Sequence, residues 1–116
     1  CRGVQSICAF MGGKLVQDLK YENVSHPLTE DHKHYIDKVI NIGVAKLLPD
    51  HFLINSYHHQ AVKVAPEGFE ILFKNDQTIE ALEHTSLPIL GVQWHPERFY
   101  TEESAIIFDY FFKMIK

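Results

Sequence analysis

The chain has 116 residues, 46% apolar and 22% charged, an ordinary balance for one globular domain. Its net charge is -4 with eight histidines counted as neutral, and it has no basic block for phosphates to engage, so no nucleic-acid partner is expected. No apolar run approaches the roughly 20 residues of a membrane span, and the first residues lack the charged-then-apolar order of a signal peptide.

In chain order, Val4, Ile7, Cys8 and Met11 form the i, i+3, i+4, i+7 stripe of a helix, which Gly12-Gly13 ends. "KLVQDL" reads as a short extended or turn segment. "KYENVSHPLTEDHKHY", polar and carrying Pro27, reads as a surface loop. "HYIDKVINI" predicts a strand, and "GVAKLLPD" a short turn or helical piece stopped by Pro49. "HFLINSYHHQAVKV" predicts a strand running into a special turn at the histidines. In "FEILFK", Phe69, Ile71 and Phe73 alternate with Glu70 and Lys74, and "TIEALEH" alternates again through Ile79 and Ala81. With "NDQ" between them, these two runs form a hairpin. "PILGVQWH" is a buried-strand run ending on polar residues. The last stretch, "TEESAIIFDYFFKMIK", has Thr101 as N-cap, Glu102 and Glu103 in the first turn, and Lys113 and Lys116 at the far end. There are no repeats, low-complexity segments or linkers. A helix that opens without a preceding strand is an incomplete α/β unit, which leaves a parallel sheet without its first members.

Three separated pieces carry the chemistry. The first is Cys1-Arg2-Gly3. A nucleophile elbow sets its reactive side chain between a strand and a helix, with small residues flanking it, and Gly3 meets that requirement at +2. The following helix turns its positive end to the sulfur and favours the thiolate. Against this stands an inert cysteine at a fragment boundary. The second piece is "GVQWHPE", residues 91–97, where a strand-like run delivers His95 and Glu97 on one face. A carboxylate two residues from an imidazole can hold its tautomer, as the third member of a triad does; the plainer reading is a strand-end histidine beside a solvated acid. The third is "NSYHHQAV", residues 55–62. Adjacent histidines diverge on a strand, so a shared metal site is not expected; a turn whose backbone meets a ligand carboxylate is the other option. His26, His32 and His34 are expected in a solvated loop with no metal. Cys1 and Cys8, about 10 Å apart along one helix, are too distant for a disulfide, and reduced thiols point to the cytoplasm.

The segments "CRGVQSICAFMGGKLVQDL", "NSYHHQAVKVAPEGFEI", "NDQTIEALEH" and "LGVQWHPE" follow one another as in the class I glutamine amidotransferase-like hydrolases. The sequence looks closest to the γ-glutamyl-γ-aminobutyrate hydrolase branch, the C26 peptidases, and the likeness runs from Cys1 to about Phe99. The resemblance implies the C-terminal half of a flavodoxin-like α/β fold, with a mixed sheet and flanking helices. It implies Cys1 as the nucleophile on a γ-glutamyl carbonyl, His95 as general base and acid, and Glu97 as the carboxylate orienting it. Gly3 and the amide of Arg2 match the turn that forms half of an oxyanion hole. Gln5, His59 and Gln60 match positions that meet the amino-acid end of the substrate. The likeness starts at Cys1, so the family's N-terminal half is expected to be missing from residues 1–116; the sequence also departs from the family in Cys8, where an asparagine is common, and in Gln77, where an Asp-Gly turn has glycine.

Residues 1–116 are thus expected to form a single partial domain. The expected ligand is a small γ-glutamyl compound, with no cofactor, no metal and no membrane. The expected reaction is hydrolysis of a γ-glutamyl amide, or the glutaminase half of an amidotransferase. The rival expectation is a non-catalytic piece that docks a separate N-terminal half, or self-associates, through an exposed sheet edge. A third idea, in which Cys1 uses its own α-amine as base, would not need His95 and Glu97, and the resemblance counts against it.

Overall fold

The computed structural model describes residues 2–16, 32–56, 61–98 and 100–115. Helix α1 (Arg2–Phe10) opens the chain. Seven strands follow: β1 (Lys14–Val16), β2 (His32–Lys38), β3 (His51–Ser56), β4 (Ala61–Val64), β5 (Phe69–Asn75), β6 (Thr78–His84) and β7 (Leu90–Val92). A 3₁₀ turn (Gly43–Leu47) lies between β2 and β3, and helix α2 (Glu102–Met114) follows β7.

The predicted stripe is the face α1 buries. Val4 and Cys8 are buried, and Ile7 and Met11 pack beside them. The helix stops because Gly12 takes φ +94°, a left-handed conformation that costs glycine little. The backbone N–H of Gly13 then donates to the Cys8 carbonyl at 2.7 Å. At the other end of the chain, Thr101 caps α2 as expected: its Oγ1 accepts from the Ser104 N–H at 3.2 Å.

The strands form one sheet in the order β1-β4-β6-β5-β2-β3, and β7 pairs with β6. Strand β5 occupies one edge of β6; β4 at Ile79 and β7 at Ala81–Glu83 divide the other. α1 packs on one face of the sheet, over Val62, Ile79 and Leu82. The 3₁₀ turn and α2 pack on the other, over Ile36, Phe73 and Ala81.

Every ladder among the described residues is antiparallel, and β5 and β6, joined by a tight turn, could pair in no other way. Two expectations need correction. The stretch His32–Tyr35 belongs to β2 and not to a loop; it pairs with β3 from His32↔Ser56 to Asp37↔His51. His34 therefore shares a face with buried Ile36, its side chain is 13% exposed, and its Nε2 lies 3.5 Å from the buried carboxylate of Glu80. The rest of the expected loop lies outside the described residues. Finally, the clean alternation in β5 and β6 is lost. Thr78 through Glu83 are all buried, as are Leu72 and Phe73 side by side, where the register shifts. A central strand covered on both faces has no solvent side.

The hairpin itself is as expected, with Asn75 opposite Thr78. Asp76 has φ +51° and Gln77 is not left-handed, so the turn is not the type I′ that needs both. Among the described residues no helix is long and apolar enough to cross a membrane.

Candidate active site

Beyond Val92 the chain leaves β7 in steps. The Gln93 N–H still reaches the Glu80 carbonyl at 2.7 Å. Trp94, 3% exposed, sinks into the core and meets Phe52 of β3 edge-on at 6.2 Å. Residues His95-Pro96-Glu97-Arg98 then form a turn, closed by the Arg98 N–H donating to the His95 carbonyl at 3.0 Å. Proline at its second position presets φ for this turn. The turn carries His95 and Glu97 on the same side, with Nδ1 of His95 3.2 Å from Oε2 of Glu97. The imidazole is 25% exposed and the carboxylate 53%.

Asn55 of β3 holds this turn from below. It is fully buried, its Oδ1 accepts from the His95 N–H at 2.9 Å, and its Nδ2 donates to the His95 carbonyl at 2.8 Å. Sequence reasoning singled out the segment around Asn55 for its histidines and passed over the asparagine. The available signal was an asparagine beside Ile54 in an apolar strand, where asparagine is disfavoured unless it has a specific partner.

The other wall is α1. Its first turn approaches β7 where Gly91 has no side chain; a Cβ there would stand 2.5 Å from Cγ2 of Val4. This contact sets Gly3 at the same cleft as the imidazole. The cleft has a volume of about 330 Å³ and is lined by Gly3, Trp94, His95 and Glu97 among a largely apolar set that includes Val4 and Phe108.

The structure thus brings together Gly3, His95 and Glu97 of the residues expected from sequence. Arg2 begins α1. Gln5 lies on α1, half-buried, and is not among the residues lining the cleft. Cys1, His59 and Gln60 lie outside the described residues, as do His26 and the adjacent histidines of the third piece. Cys8 is the small buried residue its stripe position predicted. Burial pushes its thiol pKa up, a backbone hydrogen bond at Lys14 partly opposes this, and its S–H donates to the Val64 carbonyl at 3.3 Å. Such a thiol is not a nucleophile. Among the described residues no three histidine, cysteine or acidic side chains are grouped to hold a metal ion.

Comparison with known proteins adds the lineage. The model of the peptidase C26 family matches residues 1–97. Protein NtpR of Enterococcus hirae is 35% identical over 123 residues, which cover 96% of this chain and 52% of that protein. A glutamine-hydrolyzing GMP synthase subunit of Methanocaldococcus jannaschii is 37% identical over 115 residues, covering 98% and 57%. Among solved structures, a Thermoplasma acidophilum protein described provisionally as a GMP synthase subunit superposes with a TM-score of 0.80 at 23% identity, over 98% of this chain and 54% of that one. A glutamine amidotransferase from Thermotoga maritima superposes with a TM-score of 0.74 at 11% identity, over 100% and 60%. The fold is therefore that of the flavodoxin-like class I amidotransferases, and the chain spans about half the length of the curated relatives it matches.

Proposed function

This chain belongs to the peptidase C26 family, and from that premise we propose that it carries the catalytic half of a cysteine hydrolase acting on γ-glutamyl amides. The observation that carries the reading is the hydrogen-bonded His95–Glu97 pair in one cleft with Gly3, the residue two positions after Cys1.

In this reading Glu97 accepts a hydrogen bond from Nδ1–H of His95 and so leaves Nε2 as the basic nitrogen. Nε2 takes the proton of the Cys1 thiol, and the sulfur attacks the γ-carbonyl carbon. The S–C bond forms, the carbonyl electrons move to oxygen, and the backbone N–H of Arg2 faces the oxyanion as half of its hole. The oxyanion collapses, the C–N bond breaks, and His95 gives its proton to the leaving amine. Water, deprotonated by His95, then attacks the thioester; the S–C bond breaks, and glutamate leaves with the thiol restored. Gln5, His59 and Gln60 are proposed to meet the α-amino and α-carboxyl groups of the substrate.

Glutamine is the simplest γ-glutamyl amide, with ammonia as leaving group. The GMP synthase relative, whose name states glutamine hydrolysis, supports glutamine as the first substrate to assay. The test is glutamate release from L-glutamine and from an N-alkyl γ-glutamyl amide, with Cys1→Ser and His95→Ala as controls. Release that vanishes in both variants supports the reading. Release that persists in Cys1→Ser overturns it.

A second reading has its own observation. Among the described residues β7 pairs with β6 alone, and the cleft beside it is lined by Val4, Ile7, Leu90, Val92 and Phe108. An open strand edge flanked by apolar side chains fits a further β-strand, and we propose that an N-terminal half of the family fold docks there. The residues 1–116 alone are then inactive, and adding such a half restores turnover. Full turnover by residues 1–116 alone would exclude the requirement.

A further inference from the structure

We propose that Asn55 is a positioning residue for His95: its carboxamide takes the place of a neighbouring strand and fixes the peptide that carries the imidazole. The inference rests on the proposed function for its catalytic meaning, but its geometry stands by itself.

Strand β7 ends at Val92, and its last ladder contact is the N–H of Gln93. The peptide groups of His95 lie beyond that ladder. A carboxamide can serve both, since it carries one acceptor and one donor on a single rigid plane. Asn55 uses both on His95, at 2.9 Å to the N–H and 2.8 Å from the carbonyl. The carbonyl takes a second hydrogen bond from Arg98 N–H at 3.0 Å, so the backbone polar groups of His95 are held on three sides.

The arm that holds them is rigid. Asn55 is paired to Lys33 within the β2–β3 ladder and is 0% exposed, and Ile54 beside it is 1% exposed. The same strand also grips the preceding residue, because Phe52 packs edge-on against Trp94. Two consecutive residues, 94 and 95, are therefore fixed by β3, which lies about 40 positions earlier. Both carboxamide bonds go to main-chain atoms of His95, so Asn55 acts on the imidazole through the backbone. Aspartate would lose the donor, leucine both groups, and glutamine would overfill the site. A misplacement of about 1 Å at a reacting group can cost roughly 10²-fold in rate.

The test uses the active protein with Asn55→Leu and the milder Asn55→Thr, whose hydroxyl can make one of the two contacts. Steady-state kinetics should show kcat reduced about 10- to 100-fold in Asn55→Leu with KM within about threefold, a smaller loss in Asn55→Thr, and a displaced His95 limb in the pH–rate profile. By NMR, the His95 amide resonance should shift and its imidazole titration should move in both variants. A folded Asn55→Leu with kcat within about twofold of wild type and an unmoved His95 titration overturns the proposal. If Asn55→Leu does not fold, the same two readouts on Asn55→Thr decide. If the wild type releases no glutamate from any γ-glutamyl amide, the proposed function fails, while the His95 resonances still report on the clamp.

Discussion

Val4 of α1 rests on the bare backbone of Gly91 in β7, so closely that a Cβ on Gly91 would stand 2.5 Å from Cγ2 and 3.1 Å from Cβ of Val4. The two residues are 87 positions apart, and their contact sets the first turn of α1 beside the strand that delivers His95. The interfering atoms belong to a β-branched side chain with little freedom to swing aside. Gly91→Ala should therefore destabilise the protein by about 1–3 kcal/mol, the usual range for overpacking. Val4→Ala in the same chain should recover part of the loss. Urea unfolding of the three variants measures both effects, and a Gly91→Ala change within about 0.5 kcal/mol of wild type would contradict the contact.

Glu83 links three elements. It is 8% exposed; Oε1 accepts from the Val44 N–H at 3.1 Å, and Oε2 accepts from the Tyr110 hydroxyl at 2.5 Å. Burial, with the hydrogen bond to Glu83 and its negative charge, raises the Tyr110 pKa from 10.0 to about 12. The folded protein thus holds this proton more tightly than the unfolded chain. The stabilisation is complete below about pH 10 and is lost as pH rises to about 12. Tyr110→Phe should remove that alkaline decline and cost about 1.5–3 kcal/mol near neutral pH, as for a hydrogen bond to a charged group. Thermal melts from about pH 7 to about pH 12 test both parts.

The two cysteines should respond differently to an alkylating reagent. Cys8 is 0% exposed and its thiol is shifted towards the protonated form. Iodoacetamide on the native protein should leave Cys8 unmodified and label Cys1, and denaturant should open Cys8 to reaction. Peptide mass mapping reads this directly. Native labelling of Cys8 at the rate of Cys1 would refute the assignment.

His95 and Glu97 should differ in weight. A general acid–base group contributes about 10²–10⁴-fold, so His95→Ala should lose that much in kcat. Glu97 is 53% exposed and its contact is 3.2 Å, an exposed pair of the kind worth about 0.2–1 kcal/mol. Glu97→Gln should still cost about 10-fold or more in kcat, because its amide can donate to Nδ1 and leave the proton on Nε2, the wrong tautomer for a base. A loss as large as that of His95→Ala would contradict this ranking.

The N-cap of α2 offers a local check. Thr101→Ala removes the acceptor for the Ser104 N–H and should cost about 0.5–2 kcal/mol, with little effect on glutamate release. A matching loss of catalysis would mean that the cap also fixes Phe108 of α2, which lines the cleft.

What was legible in sequence was local. The stripe of Val4 and Cys8, the glycine stop at Gly12, the cap at Thr101 and the β5–β6 hairpin depend on neighbours within a few residues, where propensity and spacing act directly. The family was legible too, because its motifs are short and ordered, and the family model matches residues 1–97. His95 and Glu97 could be named as a pair because they sit two positions apart on one turn.

The misreadings came from burial, which a single strand does not carry in its own pattern. His34 sits in a polar stretch yet lies against Glu80, and Glu80 and Glu83 are buried in the middle of β6, because helices cover the sheet on both faces. The sequence by itself determined which side chains are available for chemistry and how each short segment folds, since those are matters of spacing. Only the tertiary structure decided that Gly3 and His95 share a cleft and that Asn55 holds the histidine's backbone. Those contacts join residues 40 to 92 positions apart, and long-range packing, not local propensity, selects them.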